Sequence, residues 1–308
     1  MTALPHAPRP PAGPYAAHAP TGPHTARATT GPPQAGAMRP TAWTLEMAGG
    51  GRMRVERCLV MGILNATPDS FSDGGALATP KARDRAIADM LAAGADVLDI
   101  GGESTRPGHA PVAAADEMTR VLPVIKAVRR VDGDVPISID TQKAVVAAAA
   151  LRAGASFIND VSGLADPWMA EVLRRAACSV VLMRRDTIEG DIVAGCRNQL
   201  QAVVARAQAA GVPAERIIVD PGLGFGSRPG PHGADNLALI NGIAAYADGH
   251  PVLVGASRKR FVGAWAGKAE PAMRDEASAR LARRARDAGA AIVRVHDVAR
   301  TVAALQAA

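Results

Sequence analysis

Eight short apolar runs punctuate the chain from residue 54 onward, and each stops at a polar or glycine-rich loop. They are Leu59–Leu64, Val97–Ile100, Pro136–Ile139, Ser156–Ile158, Ser179–Met183, Arg216–Val219, Pro251–Val254 and Ala291–Val295. Runs of this length, apolar at nearly every position, suit strands of a parallel sheet covered on both faces. Stretches with helical spacing separate them. Thr79-Pro80 and Asp166-Pro167 read as N-caps followed by proline at the first helical position, while Gly94, Gly154, Gly211 and Gly289 stand where a helix must end. Eight such units in order predict an α/β fold, a (β/α)8 TIM barrel over residues 46–308. A doubly wound open sheet is the competitor. Gly222-Leu223-Gly224-Phe225-Gly226 lacks the G-x-G-x-x-G spacing that sheet would carry, and no P-loop occurs.

Composition narrows the picture. Aromatic residues make up 3% of the 308, so the core must be built from Val, Ile, Leu, Met and Ala. Residues 1–45 hold three Arg and no acid, which places half of the net charge of +6 in a Pro/Ala-rich stretch. That stretch has too little apolar surface to fold and is expected to be a disordered extension. The densest basic cluster, Arg280 to Arg286, sits on a predicted helix beside Asp275, Glu276 and Asp287 and reads as a solvated face, so no nucleic-acid partner is expected. Cys58, Cys178 and Cys196 have no metal-ligand spacing and form no even set for disulfides. No run is long enough to span a membrane, and no signal-peptide core precedes the barrel, so a cytoplasmic protein is expected.

In a barrel, polar residues just beyond the strands share one mouth however distant they are in sequence. Those positions are Asn65, Asp99 to Arg106, Asp140, Asn159-Asp160, Asp220, Ser257-Arg258-Lys259, Arg294 and His296. Asp140, Asn159 and Asp220 offer acceptors to a flat heterocycle rich in N–H groups. Asn65, Arg106, Lys259, Arg294 and His296 suit phosphate oxygens, and a metal is compatible with them. Each acid also has a plainer reading: Asp140 could cap the next helix, Asn159-Asp160 could order a turn, and Asp297 is expected to cap the last helix. Arg294 resists such a reading, because an unpaired charge on an apolar strand is costly and demands a partner.

Seven blocks then carry a family resemblance: M-G-I-L-N-A-T-P-D-S-F-S-D-G-G (61–75), D-I-G-G-E-S-T-R-P-G (99–108), I-S-I-D-T (137–141), I-N-D-V-S-G (158–163), D-P-G-L-G-F-G (220–226), G-A-S-R-K (255–259) and R-V-H-D-V (294–298). In order and in register with the strands, they resemble the dihydropteroate synthases, transferases of folate biosynthesis. The resemblance implies that a pterin diphosphate and 4-aminobenzoate are joined and pyrophosphate leaves. It assigns Asp140, Asn159, Asp220 and Lys259 to the pterin, with Met183 on the ring face. Asn65, Arg294 and His296 go to the pyrophosphate, with Asn65 also a ligand of Mg2+. Thr105, Arg106, Pro107, Phe225 and Ser257 lie around the aminobenzoate and the closed loops. Of these, Asn65, Asp220, Lys259, Arg294 and His296 are the expected catalytic set, and a homodimer is implied.

Three departures stand out. Met183-Arg184-Arg185-Asp186-Thr187 occupies the place of the family's Met-His-Met-x-Gly, the following loop is short, and Ser227 replaces a frequent Lys. Arg184 and Arg185 are expected near the pterin entrance, altering access or recruiting an anion. A divergent paralogue that binds pterin with little synthase activity is therefore the alternative. A pterin-dependent methyltransferase is a third reading, disfavoured because it has no use for Thr105-Arg106-Pro107 or the Arg294/His296 pair.

Overall fold

The computed structural model describes residues 10, 24–25, 42–67, 79–104, 110–225, 233–267 and 270–307. All eight expected strands are present: β1 (Leu59–Asn65), β2 (Val97–Gly101), β3 (Ile137–Asp140), β4 (Phe157–Asp160), β5 (Val180–Met183), β6 (Ile217–Asp220), β7 (Leu253–Val254) and β8 (Ile292–Val295). Every neighbouring pair is parallel, β8 lies between β7 and β1, and a parallel bridge from Val219 to Val252 joins the two edges of the sheet. The ring of strands is a TIM barrel.

The helices packed around it are α1 (Pro80–Ala92), α2 (Ala114–Val131), α3 (Ala144–Arg152), α4 (Met169–Ala176), α5 (Ile192–Ala209), α6 (Ala234–Asn241), α7 (Ile243–Tyr246), α8 (Arg260–Ala266), α9 (Asp275–Asp287) and α10 (Val298–Gln306). Their boundaries follow from local chemistry. Thr79 Oγ1 accepts from the Ala82 N–H ahead of Pro80, and Asp297 accepts from the Arg300 N–H to start α10. Gly94, Gly154, Gly211 and Gly289 all have φ between 84° and 113°, the left-handed conformation that lets a helix turn into a strand. Asp166 departs from its expected part as the cap of α4, which starts three residues later. Its Oδ1 instead accepts from the Trp168 N–H, and its Oδ2 from the Ala144 N–H that opens α3. One carboxylate thus satisfies donors on two elements.

Scarce aromatics are offset by small residues that allow close approach. On α3 the buried face is Ala144, Val146, Ala147, Ala148, Ala150 and Leu151. On α9 the Arg-rich face is outward and Ala277, Ala279, Leu281, Ala282 and Ala285 are buried, which matches the solvated reading of that cluster. The three cysteines are free and buried.

One element was not anticipated. Trp43–Glu46 and Arg52–Val55 form an antiparallel hairpin, and His24–Thr25 adds to it in parallel. Parts of the stretch expected to be disordered are therefore strands, while the rest of residues 1–41 lies outside the described residues. The hairpin seats at the N-terminal end of the barrel. The Ser179 N–H donates to the Glu46 carbonyl, the Ala48 N–H to the Ser156 carbonyl, and Leu45 and Val55 are completely buried.

Candidate active site

Strand register gathers the mouth residues. Asn65 is level with Gly101, Gly101 with Asp140, Asp140 with Asn159, and Met183 with Asp220. Side chains alternate along a strand, so these level positions share the barrel interior. Gly101 leaves room there, since a Cβ would lie 3.5 Å from the Asp140 side chain.

At the centre is Arg294 on β8. Its Nε donates to Asp99 Oδ2 at 2.6 Å and its Nη2 to Asp140 Oδ2 at 2.7 Å. Burial disfavours the guanidinium charge, but Asp99 and Asp140 outweigh it and hold Arg294 above its ordinary range. Asp140 is caught between opposing effects. Burial pushes it up, Arg294 pulls it down, and Asp99, Glu117 and Asp160 push up again, leaving it at about 7. The capping role open to Asp140 is not the one it has: α3 begins at Ala144 without a side-chain cap from its own N-cap residue.

Asn159 and Asp160 divide the two roles open to them. Asp160 orders the turn, accepting from the N–H groups of Ser162 and Leu164. Asn159 faces inward, where its Nδ2 lies 3.5 Å from Asp99 Oδ2. Asp99 Oδ1, Asp140 Oδ1, Asn159 Oδ1 and Ser138 Oγ are all buried and have no hydrogen-bond partner. Buried acceptors left unsatisfied are costly. Three adjacent strands therefore present a row of acceptors to whatever N–H-bearing ligand enters.

Across the mouth, Asp220 Oδ1 accepts from the Gly222 N–H at 2.7 Å. Burial raises its pKa, opposed by Lys259, that N–H, Arg294 and Arg184. Lys259 donates from Nζ to the Leu223 carbonyl at 2.6 Å and stands 5.1 Å from the centre of the Phe225 ring. Burial lowers its pKa to about 8 against the pull of Asp220. Met183 is nearly buried beneath this group. Ser257 Oγ accepts from the His296 N–H at 3.1 Å and lies 3.0 Å from its Nδ1, so the loop after β7 fixes the imidazole. Arg258, between Ser257 and Lys259, serves structure: it pairs bidentately with Asp275, both contacts at 2.7 Å.

The structure thus brings Asp140, Asn159, Met183, Asp220, Phe225, Ser257, Lys259, Arg294 and His296 around one mouth, with Asn65 half-buried on its rim. Thr105, Arg106 and Pro107 lie outside the described residues. Arg184 is not at the entrance as expected. It is 2% exposed and bonded to backbone carbonyls. Arg185 is exposed, donating to Gln142 Oε1 at 2.8 Å and lying 5.8 Å from the Phe225 ring centre.

An eight-stranded barrel whose mouth gathers acidic, amide and basic side chains defines a site of the (β/α)8 enzyme class. Residues 61–296 match the family described as pterin binding enzyme, and the chain belongs to that family. It is 44% identical over 250 residues to the dihydropteroate synthase of Bacillus subtilis, covering 79% of this chain and 85% of that protein. It is 46% identical over 266 residues to a probable bifunctional folylpolyglutamate synthase/dihydropteroate synthase of Halobacterium salinarum, where the match covers 82% of this chain and only 31% of the larger protein. Among solved structures, the Xanthomonas albilineans dihydropteroate synthase with 4-aminobenzoic acid superposes with a TM-score of 0.78 at 39% identity, covering 86% of this chain and 96% of that one. The same enzyme in complex with 7,8-dihydropteroate gives a TM-score of 0.76 at 38% identity, covering 85% and 96%.

Proposed function

We propose that the chain is a dihydropteroate synthase, which condenses 6-hydroxymethyl-7,8-dihydropterin diphosphate with 4-aminobenzoate to give 7,8-dihydropteroate and pyrophosphate. The observation that carries this reading is the row of buried acceptors without partners, Asp140 Oδ1 and Asn159 Oδ1 above all, on strands of a pterin-family barrel. A pterin ring, with several N–H donors in one plane, satisfies them. Relatives with the same fold are solved with 4-aminobenzoic acid and with 7,8-dihydropteroate.

The chemistry follows from the charges. Breaking the carbon–oxygen bond leaves positive charge delocalised into the pterin, and Asp140 and Asp220 favour that cation from fixed positions. Lys259, held between Asp220 and the Leu223 carbonyl, orients the ring. His296, aligned by Ser257, and Arg294 face the leaving pyrophosphate. The attacking aromatic amine is already neutral and needs no deprotonation before attack; the proton shed once the new carbon–nitrogen bond forms passes to the departing pyrophosphate or to water.

Mg2+ fits the donor set in one particular way. Among the described residues no three His, Cys, Asp or Glu side chains converge, which excludes an all-protein cage there. Asn65 offers one amide oxygen, and Mg2+ commonly takes one or two protein ligands while water and substrate phosphates supply the rest. Bound beside Asn65, it would neutralise charge building on pyrophosphate.

We further assign the protein to the cytoplasm and to a homodimer; exposed Trp265 and Met273 on the late helices support the second assignment. Among the described residues no helix is long and apolar enough to cross a membrane. The test of function is pyrophosphate release with both substrates and Mg2+. Release that depends on 4-aminobenzoate supports the synthase. Tight binding of the pterin diphosphate without turnover would overturn it and select the non-catalytic paralogue.

A further inference from the structure

Arg184 is the buried cation that the proposed chemistry leaves unused. Its surroundings lack the acid such a group normally requires. Nε donates to the Pro221 carbonyl at 2.6 Å and Nη1 to the Asp186 carbonyl at 3.0 Å, and among the described residues no carboxylate forms an ion pair with it. Its backbone is committed to the same segment. The Arg184 N–H donates to the Asp220 carbonyl at 3.3 Å. The Arg184 carbonyl lies so close to Gly222 that a Cβ there would overlap it, and Gly222 adopts φ +64°.

Two successive residues, Asp220 and Pro221, are therefore held by Arg184, one by its N–H and one by its guanidinium, and its carbonyl packs so closely on the third, Gly222, that only glycine fits there. Gly222 in turn donates to Asp220 Oδ1. We propose that Arg184 is a positioning residue for Asp220, setting the carboxylate that meets the pterin through the Pro221 carbonyl and the Gly222 N–H. This rests on the synthase reading above.

The placement also has an electrostatic side. The charged and titratable groups facing Asp220 are Lys259 after β7, Arg294 on β8, Arg184 after β5, Cys196 on α5 and Tyr246 on α7. Burial raises Asp220, and the three cations oppose it. Lys259 and Arg294 also have other acids to serve, since each interacts with Asp140 as well. Among the described residues Arg184 has no ion-pair partner elsewhere.

Two variants separate positioning from charge. Arg184→Lys keeps the cation but cannot donate to two diverging carbonyls. Arg184→Met removes both. Steady-state kinetics with the pterin diphosphate, 4-aminobenzoate and Mg2+ should show KM for the pterin rising about tenfold in both variants, the loss expected for one charged hydrogen bond. KM for 4-aminobenzoate should stay within about twofold. The acid limb of kcat/KM should move up by about one pH unit in Arg184→Met and stay in place in Arg184→Lys. A lowered melting temperature with both KM values and the limb unchanged would make Arg184 merely structural and end the proposal. If Arg184→Met does not fold, Arg184→Lys alone decides on the pterin KM. Absence of turnover in the unmodified protein would instead refute the synthase reading.

Discussion

Arg294 Nε and Asp99 Oδ2 lie 2.6 Å apart although 195 residues separate them in sequence. Asp99 is completely buried, so the pair fixes the guanidinium from beneath, and the second nitrogen then reaches Asp140. A ligand that displaces Arg294 from Asp140 leaves the Asp99 contact to hold the guanidinium.

Asp220 should be indispensable to the chemical step. Asp220→Asn keeps the shape and the contact with Gly222 while removing the charge, and kcat should fall by roughly two orders of magnitude or more, as for loss of a preorganised electrostatic group. Unchanged kinetics with an unchanged melting temperature would take Asp220 out of the mechanism.

Lys259 should set an alkaline limit on pterin binding. Burial holds it at about 8, below the ordinary 10.5, so the ammonium is lost as pH rises through about 8. Affinity for the pterin diphosphate, measured by calorimetry, should weaken across that pH. Lys259→Ala should bind weakly at every pH with the melting temperature intact. A pH-independent affinity in the unmodified protein would contradict this role.

Asp140 should make the free protein more stable in mild acid. Its folded pKa, about 7, lies above the ordinary 3.8. The folded state therefore holds a proton that the unfolded chain releases, and the contribution present below about pH 4 is lost as pH rises through 7. Thermal melts from pH 4 to 7 should fall more steeply for the unmodified protein than for Asp140→Asn. Parallel slopes would show that Asp140 is ionised throughout.

Lys143 should matter for stability. Its Nζ bonds Glu103 Oε2 at 2.5 Å and Glu117 Oε2 at 2.6 Å, and Glu117 is wholly buried. Lys143→Met strands both acids and should cost about 3 kcal/mol in urea unfolding, the low end for a broken buried pair because Lys143 still meets solvent. Glu103 Oε1 also accepts from the Val112 N–H, so the same variant also weakens the hold on that segment. A cost below about 1 kcal/mol would place the cluster among ordinary surface pairs.

Most of this architecture can be read from the chain because each strand is a short apolar run that stops at a polar or glycine-rich loop, and Gly94, Gly154, Gly211 and Gly289 end the helices ahead of four of them. The residues of the mouth follow from strand-end position alone. What escapes such reading depends on contacts between distant segments. The hairpin carries a period-two signal, with Met53 and Val55 buried and Arg52 and Arg54 exposed, but it is short and adjoins a proline-rich stretch. Asp99 falls within an apolar strand run, but its tie to Arg294, 195 residues away, leaves no trace in any local pattern. Arg184 reads as an entrance residue because a charged side chain after a strand usually faces solvent. The carbonyls that hold it inside come from another strand's loop and from its own turn.

The hairpin at the floor has a consequence for traffic. With Leu45 and Val55 buried against the strand bases, the hairpin covers the end of the barrel opposite the mouth. Reactants and products must pass the same rim, so whatever sits deepest arrives first and departs last. On the proposed function, a heterocycle that reaches Asp140 and Asn159 settles before the aminobenzoate is seated above it, and the joined product clears the opening before the next cycle begins.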